Sequence, residues 1–364
     1  MSTRITSKMM MNAYKSTLST SMQRVNRDSQ AVTNERKYLT DSEDPVSATR
    51  AYQYRRETTR NSNYQTNTQQ VSSLLTSRES VVMDISSMAR EVLKEDTLGA
   101  VNGTSSKESR QAYAQQIEEL QRSAIQSLNT SYGSTFMFGG TSSNQVPFEL
   151  DDGDGTVLYR GVPVDGLSRT DMKEYNSLKA SGADPDRLAE LQATLDENMA
   201  KLDSYNAETQ YVDLGFGLEF DEEGNVNPNS AFNIVSNGIS FLGYGTDSEG
   251  NSTNLIQLMG DLADAITADS FDDDYVQELS DNFESAMTDL TMELTQLGSD
   301  ENFMDTNLER LEEIELNLTE KTNATEYISS AEAITDFQMS QYAYRAALQI
   351  GSQILSQSFL DYMK

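Results

Sequence analysis

Cysteine, histidine and tryptophan are all absent from this chain of 364 residues. Without the first two there can be no disulfide, no thiol nucleophile, no imidazole general base and no zinc site of the usual Cys/His kind. Glycine and proline are missing from the two ends. No glycine precedes Gly99, Pro45 is the sole proline of that stretch, and after Gly298 the one breaker is Gly351. Fifteen of the twenty glycines lie between Gly133 and Gly250, and four of the five prolines between Pro147 and Pro228. These residues punctuate helices and supply turns. Their distribution therefore predicts two long helical ends around a turn-rich centre. No apolar run reaches the length that crosses a bilayer, and Met1-Ser2-Thr3-Arg4-Ile5-Thr6 lacks the apolar core of a secretory signal. The expectation is a cytoplasmic chain, or one exported without a cleaved signal, and no membrane partner.

What the chain does carry is acid. Its net charge is −31, from 27 Lys/Arg and 58 Asp/Glu, with a hydrophobic fraction of only 37%. Residues 1–60 run the other way, with eleven Lys/Arg and six Asp/Glu. Such an acidic chain repels nucleic acid and anionic lipid. The basic stretch is interleaved with a hydrophobic repeat, so it reads as a solvated helix face.

That repeat is Leu18, Met22, Val25, Ser29, Val32, Arg36 and Leu39, spaced by four and three. This is the seam of a helix lying on another helix, and it predicts a helix ending near Thr40. Asp44-Pro45 then caps a new helix, with proline at the first position, where its missing N–H costs nothing. The second helix should run to about Asp96, with a seam of Val71, Leu74, Arg78, Val81, Ile85, Met88 and Val92. A turn is expected over Thr97 to Gly103 and a third helix over Ser106 to Thr130, with Tyr113, Ile117, Leu120, Ala124 and Leu128 on one face. Between Tyr132 and Gly250 the aromatic-glycine and Asp/Gly runs read as short strands and turns. One inserted helix is expected, opened by Asp184-Pro185 and marked by Leu188, Leu191, Leu195, Met199 and Leu202. Helices resume near Asn254. The last carries Ile334, Phe337, Gln341, Tyr344, Leu348, Gly351 and Leu355 at heptad spacing. Ala346, Ala347, Ile350 and Ile354 widen that stripe beyond what one partner helix needs, which points to contact with other subunits.

Candidate chemistry is thin. Asp151-Asp152-Gly153-Asp154-Gly155 fails the spacing of a calcium-binding EF-hand loop and reads as a hairpin turn. Phe271-Asp272-Asp273-Asp274 reads as a helix start, where carboxylates favour the positive end of the dipole. Gly215-Phe216-Gly217 lacks the third glycine of a dinucleotide loop. Carboxylate pairs are everywhere in a chain with 58 acids, so none marks an active site. No enzyme activity, metal or cofactor is expected.

The first sixty residues resemble the flagellin superfamily. Leu18-Ser19-Thr20-Ser21-Met22-Gln23-Arg24-Val25 after Arg4-Ile5-Thr6 is similar to its opening helix, and Asp41 to Ala48 to the acidic break that follows. Asp44-Pro45-Val46 and the run Phe136-Met137-Phe138-Gly139-Gly140 are closer to the hook-associated protein 3 family than to flagellin. Ala331 to Leu360 resembles the C-terminal helix of the superfamily. The chain departs at Asn34 to Tyr38, where the family often has glycine.

The resemblance implies a mostly α fold: a long antiparallel helical bundle from both chain ends, plus a central strand-rich outer domain. The domains expected are 1–42 with 325–364 as terminal axial helices, ordered on assembly; 43–135 with 251–324 as a helical rod; and 136–250 as the outer domain. It implies a structural subunit of the bacterial flagellum, exported by the type III pathway, extracellular, and joining hook to filament. Its partners would be hook-associated protein 1, flagellin, further copies in a ring and an export chaperone. The assembly residues would be Leu18, Met22, Val25, Val32, Leu39, Ile334, Phe337, Tyr344, Leu348 and Leu355. Flagellin itself, or a free-standing coiled-coil adhesin, is the alternative.

Overall fold

The computed structural model describes residues 7–97, 106–142, 144–268 and 271–362. The Arg4-Ile5-Thr6 motif, the turn expected over 98–103 and the side chain of Leu355 lie outside the described residues. The chain divides into two compact units, Met1–Asn63 with Leu311–Lys364, and Tyr64–Arg310.

The first unit contains α1 (Ser7–Asn34), the start of α2 (Pro45–Glu91), the end of α8 (Asp273–Glu326) and α9 (Ser330–Tyr362). The terminal helices α1 and α9 pack on each other. Asp44 caps α2 as its sequence demands, its carboxylate accepting from Ser47 N at 3.1 Å. α1 stops at Asn34, short of the expected Thr40. Glu35 takes a left-handed conformation with φ 55°, and the next residues leave the helix to bond to another segment of the chain.

The second unit is built on a helical core. The later part of α2, α3 (Lys107–Leu128), α7 (Leu255–Thr267) and the earlier part of α8 bury their apolar faces together. The seam read from the α2 sequence is the buried one: Val71, Val81, Ile85 and Val92 lie in this core, with Leu74 and Met88 against it. Arg78 shares the seam because its Nη2 donates to Met137 O at 3.1 Å. Burial draws its guanidinium down to about 10, with Glu293 opposing. α2 passes into a π-helical segment, Val92–Thr97. At the other end Asp272 receives the N–H groups of Asp274 and Tyr275, so the acidic run does start α8.

Among the described residues the strands are short and fall into three small antiparallel sheets. β1 (Ser131–Tyr132) pairs with β2 (Thr135–Phe136). β3 (Phe148–Leu150), β4 (Val157–Tyr159) and β5 (Val162–Pro163) form a meander. β6 (Tyr211–Val212) pairs with β7 (Phe232–Asn233). The Asp151 to Gly155 run is the β3–β4 turn. α5 (Pro185–Asn206) opens on an Asp184 cap, as its Asp-Pro pair indicated. Two helices of this region were not anticipated: α4 (Arg169–Ser181), capped by Ser168, and the one-turn α6 (Gly238–Leu242). Two loops share a five-residue turn, Asp221 to Asn225 and Asp247 to Asn251, both reading Asp-x-Glu-Gly-Asn. In each the aspartate carboxylate accepts two N–H groups of its own loop, and the glycine supplies the positive φ.

Phe138, Phe148, Tyr159 and Phe241 lie in the same core. Phe138 meets Phe241 at 5.6 Å, Phe148 meets Tyr159 at 5.0 Å, and Tyr159 Oη donates to Phe138 O at 3.0 Å. A Cβ at Gly238 would strike the Phe148 ring, which is fully buried and cannot swing away. Gly238→Ala is expected to cost about 1–3 kcal/mol as overpacking. Gly298, inside α8 with open space around it, should gain about 0.5–1 kcal/mol on the same change. Urea midpoints of the two variants should move in opposite directions at unchanged m-value.

A polar cluster ties α4 to α7. Arg169 pairs with Asp261 at 2.6 Å and Asp264 at 2.7 Å. Beside it the buried Asp165 accepts from Ser252 Oγ at 2.6 Å. Burial pushes the Asp165 carboxyl up to about 8; the Ser252 bond and Arg169 work against that, and Asp261 adds to it.

Candidate assembly surface

The helix breaks between α1 and α2 and between α8 and α9 meet in the first unit and are stitched together. Ile328 N donates to Glu35 O at 3.0 Å and Lys37 N to Glu326 O at 2.8 Å, a short antiparallel bridge. Lys37 Nζ adds a bond to Ala324 O at 2.6 Å, and Ser330 Oγ one to the Glu35 carboxylate at 2.7 Å. The buried Glu326 carboxylate is ion-paired with Arg55 of α2. This stitch shortens α1 and sets where α9 begins.

From there α1 and α9 run antiparallel. Asp28 and Ala31 lie near Ala333 and Asp336, Arg24 near Met339 and Ser340, and Tyr14 beside Gly351. Among the described side chains, those α9 buries are small: Ala333, Ser340 and Gly351. On α1 no described side chain is fully buried, and the half-buried ones include Met11, Tyr14, Leu18, Ser21, Val25, Asp28 and Val32. Small residues let two backbones approach closely but remove little apolar area from water. A groove of about 600 Å³ remains between the helices, lined by Ser16, Thr17, Thr20, Ser21, Arg24, Met339, Ser340, Ala343 and Ala347.

The large apolar side chains point elsewhere. Leu18, Val25, Val32, Phe337 and Tyr344 are half-buried in the pair. Met22, Leu39, Ile334 and Leu348 are exposed, so they do not form the mutual seam their spacing suggested. Leu39 is off the helix altogether. Met339 and Tyr342, which the heptad reading passed over, are also exposed, Tyr342 at 78%, as is Ile350, read there as widening the stripe. α9 thus carries an open apolar surface that its partner α1 does not cover.

Charge separates the units as well. The first holds 14 Lys/Arg and 14 Asp/Glu, and the second 13 against 44, so the whole −31 resides in the second. A neutral unit can approach copies of itself without the self-repulsion the acidic unit would meet. Among the described residues no helix is long and apolar enough to cross a membrane, and no group of acidic side chains is placed to hold a metal ion.

No protein-family model and no curated protein matches this chain. Solved structures do. A structure from Vibrio parahaemolyticus, described as a flagellar hook-associated protein, aligns over 78% of this chain and 100% of its own, at 15% identity and TM-score 0.55. Bacillus cereus FlgL aligns over 74% and 99% at 14% identity, with TM-score 0.45. The flagellar junction protein FlgL of Legionella pneumophila aligns over 78% and 100% at 14% identity, with TM-score 0.41. The first of these shares its overall fold with this chain.

Proposed function

We propose that this protein is a structural subunit of the bacterial flagellum, placed between hook and filament. It would join hook-associated protein 1 below to flagellin above, in a ring of its own copies. The observation that carries this reading is the terminal pair: set in the neutral unit, thinly packed within the monomer, and rich in exposed Ile334, Met339, Tyr342, Leu348 and Ile350. Burying those side chains requires neighbours, and further copies, hook-associated protein 1 and flagellin would supply them. In this reading residues 1–42 and 325–364 form the assembly domain, 43–135 and 251–324 the rod, and 136–250 an outer domain facing the medium. Export would follow the flagellar type III route with a dedicated chaperone. No catalytic role belongs to it.

Two measurements test this. Limited proteolysis of the purified monomer should trim both termini and leave a stable core, because the α1–α9 pair buries too little to offset its ordering entropy. Quantitative immunoblotting of purified flagella should find a small ring per filament. Thousands of copies per filament would make it a filament subunit instead.

A further inference from the structure

The charges of the neutral unit are segregated along its helices. Residues 45–63, the start of α2, hold four arginines and one glutamate. Residues 311–326, the end of α8, hold five glutamates and one lysine. The two segments pack through their inner sides, where Asn61 Nδ2 donates to Leu311 O at 2.8 Å. Of all these charges, Arg55 and Glu326 pair across the two helices. Arg50, Arg56 and Arg60 are exposed and in no ion pair among the described residues, and the same is true of Glu312, Glu313 and Glu320.

Helical geometry gathers each set on an outward face. Tyr52, Arg56 and Arg60 follow at intervals of four, with Val46 further round the helix and the exposed Glu57 beside Arg50 beyond it. Glu312, Leu316 and Glu320 follow at the same interval, with Glu313 alongside. Each charged face has an exposed apolar side chain among its charges, Tyr52 at 68% and Leu316 at 67% exposure. The lengths match: 52 to 60 and 312 to 320 each span about 12 Å of helix. An isolated solvated face would carry mixed signs. The basic row of Tyr52, Arg56 and Arg60 and the acidic row of Glu312, Leu316 and Glu320, each with an exposed apolar side chain, form a complementary pair that one copy cannot close on itself.

The geometry points to a second copy of this chain as the occupant: the α2 face around Tyr52, Arg56 and Arg60 of one copy docks on the α8 face around Leu316, Glu312 and Glu313 of the next. The contact is heterologous, since the two faces differ, so repetition builds a ring or helix of copies and not a closed two-fold dimer. It is separate from the α9 surface described above and rests on the reading that copies self-associate. Charge would set the register and exclude wrong neighbours, while Tyr52 and Leu316 supply the buried area.

The absence of cysteine makes the test direct. Full-length Tyr52→Cys and Leu316→Cys chains are prepared separately, concentrated, and treated with a short bismaleimide alone or as a mixture. The mixture should give cross-linked dimer in about tenfold excess over either chain alone. Arg56→Glu with Arg60→Glu on the first chain should lower that yield about tenfold. Glu312→Lys with Glu313→Lys on the second chain should restore it. Equal cross-linking in the single-variant samples would mean a two-fold contact and overturn the proposal. A Tyr342→Cys chain that cross-links between copies while the 52–316 mixture does not would overturn it too, with self-association through α9 left standing. Failure of both would remove both.

Discussion

Asp165→Asn should make the protein more stable than wild type above pH 8 by roughly 2–4 kcal/mol, with the difference shrinking steadily as pH falls and vanishing near pH 4. The wild-type carboxyl is buried and held by Ser252, and burial pushes it up to about 8. In the unfolded chain it returns to the ordinary range near 4. The folded state therefore binds the proton more tightly. Its contribution is fully present below the unfolded value and is lost as pH rises towards 8, where the carboxylate must ionise in a dry site or the chain must open. Four units of difference set a ceiling of about 5–6 kcal/mol, and relaxation around the charge lowers what is measured. Asparagine keeps an oxygen for the Ser252 hydroxyl and never ionises. Asp261 also titrates high in this cluster because of its burial, restrained by Arg169. The difference between variant and wild type is accordingly the informative quantity. Urea midpoints from pH 5 to 9.5 check it. Parallel curves for the two proteins would show that Asp165 is not a buried acid.

Replacing Ile334, Leu348 and Ile350 together by aspartate should leave the monomer intact and abolish its incorporation into flagella. All three are exposed, and exposed positions cost within about 0.5 kcal/mol each. In the assembly each would bury a side chain worth about 1.5 kcal/mol or more. Their loss removes about 4–5 kcal/mol per subunit, on the order of a thousandfold in affinity. Circular dichroism and the thermal midpoint should match wild type, while immunoblots of purified flagella should show none of the variant. Wild-type levels of incorporation would mean that this face of α9 is not an assembly surface. The paired change Ala333→Leu and Ser340→Leu, within the α1–α9 contact, should do the opposite and disturb the monomer first.

Both cap-and-proline pairs, Asp44-Pro45 and Asp184-Pro185, could be read directly, because a cap followed by proline has one good structural use. The α2 seam from Val71 to Val92 was legible because it enters a core whose members are large and apolar. The α1–α9 contact was not legible in the same way. There the buried positions hold Ala333, Ser340 and Gly351, and hydrophobicity does not mark a seam made of small residues. The larger heptad residues Ile334 and Leu348 drew the pattern to the neighbouring face, which the monomer leaves open. α4 was missed because Met172, Tyr175 and Leu178 form a stripe too short to separate from loop sequence. The Asp-x-Glu-Gly-Asn repeat at Asp221 and Asp247 was available as a turn signature and went unused. The end of α1 was misplaced because it depends on the bridge from Glu35 and Lys37 to Ile328 and Glu326, nearly three hundred residues away.

Electron microscopy of cells lacking this protein bears on the junction role without intermediate steps. Intact hooks that carry no filaments, with flagellin shed into the medium and filaments regained on complementation, is the expected result. Filaments of normal length and number on those hooks would contradict it.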